Sequence, residues 1–168
     1  KSQSVRRPTG NEARPHAHAA GSASDEVRLA RAFGANITAR SLIRGRVQRM
    51  GPPHWRRYPP GRAYGELAGN DPLFRREITR LGARLLAHDL AAVGINVDCV
   101  PVLDVPAPDG HEIIGDRAYG QTAAEVAFLG RAAAEGLIAG GVLPIIKHIP
   151  GHGRAMADSH LELPVVEA

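Results

Sequence analysis

The chain has 168 residues, 43% apolar and 23% charged, which suits a single domain with a real core. Its one cysteine, Cys99, excludes a disulfide framework and a four-cysteine zinc site. It has no run of 18 apolar residues and no apolar stretch at its start. The expectation is therefore a cytoplasmic protein with no membrane partner. Residue 1 is lysine rather than methionine, so the natural start is expected to lie upstream.

The net charge of +4 sits wholly in the first quarter of the chain. Lys1, Arg6, Arg7, Arg14, Arg28, Arg31 and Arg40 there outnumber Glu12, Asp25 and Glu26, whereas residues 44–168 balance. A basic arm can bind nucleic acid. Here the arginines are scattered and Phe33 is the sole aromatic of residues 1–43. The reading is a solvated arm with no nucleic-acid partner.

Residues 1–27 carry only Val5 and Val27 as large aliphatics, too few to offset the entropy of ordering. They are expected to be irregular. Leu29, Ala32 and Phe33 suit a short helix within 28–43, weakened by Gly34. Arg46 to Tyr58 is a proline-rich aromatic loop able to pack. Asp71 then reads as an N-cap, with Pro72 at the first helical position. Phe74, Ile78, Leu81 and Leu85 fall on one helical face, and Gly94 ends the helix. Ile95 to Val102 reads as a buried strand, and 104–121 as a long loop. Thr122 and Glu125 form a capping box. The next helix runs through Val126, Leu129, Leu137 and Ile138 to Gly140 and Gly141, and Val142 to Ile146 reads as a second buried strand. Helices alternating with strands predict a parallel α/β sheet.

Lys147 to Pro164 reads KHIPGHGRAMADSHLELP. It begins at the carboxyl end of the second strand, where parallel α/β proteins bind ligands. Three readings fit. The first is a metal held by His148, His152, His160 and Asp158; Pro150 and Gly151 break the helix that the four-residue histidine spacing would need. The second is a polar surface loop. The third is acid–base chemistry, with Asp158 orienting His160 and favouring its imidazolium form.

KHIPGHG, four residues and then DSH resembles the signature of bacterial β-N-acetylhexosaminidases of glycoside hydrolase family three. The resemblance extends from about Gly45 to the end, through GRVQRM, PPHW, VPVLDV and IGDRAYG. It implies half of a TIM (β/α)8 barrel in residues 44–168, preceded by an arm over 1–43. It implies removal of terminal N-acetyl-β-D-glucosamine from muropeptides in cell-wall recycling, by a retaining mechanism. His160 matches the proton donor and acceptor, and Asp158 the residue that assists it. Lys147 and His148 match the pair that holds the sugar, and Arg117 and Arg49 further substrate contacts. Arg117, Lys147 and His148 are expected at one mouth, with His160 farther off. Neither a metal nor an organic cofactor is implied.

The chain departs from the pattern twice. The family's Asp-Gln-Glu-Gly before GRVQR, with its sugar-binding Asp, is replaced by Ser41, Leu42, Ile43 and Arg44. The arginine-rich composition upstream predicts a break near residue 43, of the kind a shifted frame in a GC-rich gene produces. The family's Asp nucleophile lies beyond the Asp-Ser-His loop and is not among these residues. The expected activity of this chain alone is nil. A non-catalytic carbohydrate-binding remnant is the alternative, and a metal-dependent hydrolase a more distant one.

Overall fold

The computed structural model describes residues 38–39, 48, 50–67 and 71–166. In chain order these form β1 (Thr38–Ala39), α1 (Gly61–Gly65), α2 (Pro72–Ala92), β2 (Val97–Asp98), a 3-10 turn (Gly115–Arg117), α3 (Ala123–Ala139) and β3 (Leu143–Pro144). The strands are parallel and lie in the order β1-β2-β3, with Thr38 opposite Val97 and Val97 opposite Leu143. Spatial order thus follows chain order without the reversal of a doubly wound sheet.

The short helix read through Leu29, Ala32 and Phe33 lies outside the described residues. Further on, Thr38 and Ala39 are strand and pair with β2. The other residues of 1–47 lie outside the described residues.

Local signals explain the two long helices. The Asp71 side chain accepts from the Leu73 N–H at 2.9 Å, with Pro72 just inside the helix. Thr122 and Glu125 exchange both bonds of the capping box, each at 3.3 Å. The helices also end alike. Gly94 and Gly141 each adopt φ +82°, which glycine tolerates without Cβ strain. The next N–H of each, from Ile95 and Val142, returns 3.0 Å to the Leu90 and Leu137 carbonyls. Each helix therefore stops at a fixed point and delivers the chain into a strand.

The buried face of α2 differs from the one expected. Thr79, Ala83, Leu86, Ala87 and Leu90 are buried, whereas Phe74, Leu81 and Leu85 are exposed and Ile78 is half-buried. Small residues decide this. A Cβ at Gly136 would strike the Arg80 carbonyl, and one at Gly140 would strike Ala87. α2 and α3 approach along this small-residue seam, flanked by the buried Leu86 and Leu90, while Leu81 and Leu85 face outward. On α3, Val126, Leu129 and Leu137 are buried, and Ile138 is exposed.

The expected strand over 95–102 is regular only at Val97–Asp98. Pro101 has no N–H to give to a ladder. Pairing resumes at a bridge between Val102 and Lys147, where the Leu103 N–H donates to the Lys147 carbonyl at 2.5 Å. The expected second strand over 142–146 is regular only at Leu143–Pro144 and buried only at its start: Val142 is in the core, whereas Leu143, Ile145 and Ile146 are exposed. Among the described residues β3 is the sheet edge, which explains that exposure.

The loop before α1 packs as expected. Met50 and Tyr58 enter the core, and the Tyr58 hydroxyl donates to Asp89 at 2.6 Å. α1, which the sequence did not announce, supports the 3-10 turn. A Cβ at Gly61 would strike the Arg117 carbonyl, and Arg62 donates to the Gly115 carbonyl at 3.3 Å.

Candidate functional site

The residues singled out by sequence lie on two loops, 103–121 after β2 and 147–166 after β3. The loops are tied backbone to backbone. The Ala107 N–H donates to the Gly153 carbonyl at 2.8 Å, and the His111 N–H to the Ala155 carbonyl at 2.7 Å. A side chain at Gly153 would strike the Val105 carbonyl, so this contact needs the glycine.

Lys147 and His148 leave the last bridge of the ladder through a cis peptide bond. Lys147 is mostly buried. Burial lowers its affinity for a proton below the usual lysine range, and the Arg117 guanidinium pushes the same way; Cys99, Asp98 and Asp104 oppose them. Arg117 closes the 3-10 turn and donates to the Ile113 carbonyl at 3.0 Å. Its charge is felt at Lys147.

His148 is held by a residue the sequence reading passed over. Asp104 has a fully buried side chain. Its Oδ2 lies 2.5 Å from His148 Nδ1 and accepts the His148 backbone N–H at 3.3 Å. Its Oδ1 accepts the His152 N–H at 2.5 Å. Burial alone would raise this carboxyl, but the hydrogen bonds from His148 and His152 outweigh it and hold it below the usual aspartate range. The His152 ring packs edge-on against that of His148, with centroids 6.3 Å apart. Asp104 stands 44 residues from His148, and no local spacing marks the pair. The only hint was its place at the end of a strand, within VPVLDV.

The Asp158–His160 pair is built differently. His160 donates its backbone N–H to Asp158 Oδ1 at 2.9 Å, and its Nδ1 lies 2.7 Å from the same oxygen. These two bonds depress the Asp158 carboxyl. The imidazole is 80% exposed, so a ligand can reach Nε2. The carboxylate is placed to orient the ring. Arg49 lies outside the described residues. Its neighbour Gln48 is anchored, accepting the Tyr58 N–H at 2.8 Å. Among the described residues no group of three or more His, Cys, Asp or Glu is placed to hold a metal ion. None of their helices is long and apolar enough to cross a membrane.

Comparison with known proteins places this geometry. Residues 19–168 match the model of the glycosyl hydrolase family 3 N-terminal domain. That match begins upstream of Gly45, where the sequence motifs start. A beta-hexosaminidase of Methylococcus capsulatus is 42% identical over 120 residues, 71% of this chain and 34% of the relative. One from Bordetella parapertussis is 39% identical over 121 residues, 72% of this chain and 34% of the relative. The chain thus spans about a third of the length of these relatives. Among solved structures, NagZ from Neisseria gonorrhoeae in complex with N-trifluoroacetyl-D-glucosamine superposes with a TM-score of 0.68 at 32% identity. That superposition covers 82% of this chain and 43% of the other. With a family match over most of its length, and with the strand-end loops bearing the family's motifs, the chain belongs to glycosyl hydrolase family 3.

Proposed function

We propose that the chain is the sugar-holding and proton-transferring part of a retaining β-N-acetylhexosaminidase barrel that acts on N-acetylglucosamine in muropeptides. The observation that carries this reading is the Asp158–His160 pair, bonded at 2.7 Å with its imidazole open to solvent. The beta-hexosaminidase names of the relatives and the N-acetylglucosamine analogue bound by the gonococcal protein support the substrate class.

In this reading Lys147 and Arg117 donate to sugar oxygens, and His148 adds a third polar contact. His160, charged and steered by Asp158, gives its proton to the leaving oxygen as the glycosidic bond breaks. It then takes a proton from the water that releases the sugar. A carboxylate outside these 168 residues attacks the anomeric carbon from the opposite face. Sequential parallel strands and the exposed β3 edge support the first portion of an eight-stranded barrel as the setting.

Loss of one essential catalytic group costs orders of magnitude in rate, because the groups act as a unit. The 168-residue chain should therefore show no turnover of an aryl N-acetyl-β-glucosaminide. Joining residues 45–168 to the flanking parts of a family relative, including its Asp-Gln-Glu-Gly segment and its C-terminal portion, should restore turnover. Turnover by the chain alone that depends on His160 would overturn the reading. So would a folded, joined protein with no activity.

A further inference from the structure

We infer that Asp104 is a positioning residue that fixes His148 as the Nδ1–H tautomer, so that Nε2 meets the ligand as a hydrogen-bond acceptor. The inference rests on the proposed sugar-holding role of His148 and names the chemistry that role requires.

Three contacts fix the proton. Asp104 Oδ2 lies 2.5 Å from His148 Nδ1, and the same oxygen accepts the His148 N–H. Oδ1 accepts the His152 N–H. Two of these partners are backbone N–H donors, and an ionised carboxylate can only accept from the third as well. Its side chain has no exposure to water, so no solvent donor competes for its oxygens. Nδ1 must therefore carry the proton of a neutral imidazole. The nitrogen left for a ligand is Nε2, on a ring that is 35% exposed, and there it offers a lone pair.

The two side chains after β3 are then complementary. The Lys147 ammonium only donates, and His148 Nε2 accepts. A hydroxyl can do both at once, accepting from lysine while giving its hydrogen to histidine. An ether oxygen can only accept. A ligand atom that meets both must then be a free hydroxyl rather than the same position alkylated, because burying an acceptor against an acceptor leaves both unsatisfied.

The test is long-range proton–nitrogen NMR of the 168-residue chain with labelled histidine, at a pH well above about 6.5, where imidazoles are neutral. The wild-type spectrum should show His148 protonated at Nδ1. In Asp104→Leu, which keeps the bulk of the side chain and removes both acceptors, nothing holds the proton at Nδ1, and it should move to Nε2. A wild-type His148 protonated at Nε2, or a mixture of tautomers, overturns the inference even if the variant fails to fold. A folded variant that keeps the Nδ1 proton overturns it as well.

N-acetylglucosamine and its mono-O-methyl ethers supply the second arm. One ether should lose the shifts that the parent sugar induces at His148, while the others retain them. Equal binding of all the ethers would contradict the selection of a hydroxyl. The Nδ1 tautomer with no response to any sugar would support the positioning role and count against the sugar-holding reading.

Discussion

Two aspartate–histidine pairs lie on the loops after β2 and β3, and they are opposites. Asp158 and His160 are two residues apart on one loop, and the imidazole is 80% exposed. Asp104 and His148 are 44 residues apart, come from different strands and share a carboxylate with no exposure. The first pair is made within one turn of chain. The second joins two strand ends and fixes the direction of a ring. A proton carrier benefits from access, and a ligand holder from rigidity, so the contrast assigns the two histidines different work.

The sharpest way to break the contrast is to remove each carboxylate in turn. Asp104→Ala leaves three N–H groups without their acceptor and should lower stability by about 3 kcal/mol. Asp158→Ala removes the partner of a ring that is 80% exposed and should move the urea midpoint far less. Equal losses in urea titrations would erase the distinction.

Acid unfolding separates the pairs more finely. The folded value of Asp104 is depressed, so the unfolded chain binds its proton more readily. Its contribution is complete above about pH 4, the ordinary aspartate value, and is lost as pH falls through the lower folded value. Asp104→Asn should flatten the acid limb of the stability curve. Asp158→Asn should change it much less, because water screens that pair. An acid limb unaltered by Asp104→Asn would contradict the depressed carboxyl.

Lys147 gives the smallest effect. Burial and Arg117 depress it, so the unfolded chain holds its proton longer. Wild-type stability should rise with pH in the window below about 10.4, the ordinary lysine value. Lys147→Met should lack that rise. A parallel rise in both proteins would mean that the ammonium is solvated.

The contrast also marks what the sequence made legible. Asp158 and His160 were readable because their spacing is local, as were the Asp71 cap and the Thr122–Glu125 box. Asp104 was not, because its partners are fixed only when β2 and β3 align in register. The wrong face of α2 has the same origin. Phe74, Leu81 and Leu85 carry the apolar periodicity, but the choice of face was made by Gly136 and Gly140 on another helix. Pro101 within VPVLDV did announce the interrupted strand, and its missing N–H was the signal to use. α1 is five residues long, too short for periodicity to mark.

The central claim is that His160 moves the proton while His148, held by Asp104, holds the sugar. It is tested most directly by the leaving-group dependence of kcat/KM in the joined enzyme, over aryl N-acetyl-β-glucosaminides of graded phenol acidity. His160→Ala should cost little with the most acidic phenols and progressively more as the phenol becomes less acidic, since those leaving groups need the proton in the transition state. His148→Ala should lower the rate by the same factor across the series. A uniform loss for His160→Ala, or a graded loss for His148→Ala, would contradict the assignment.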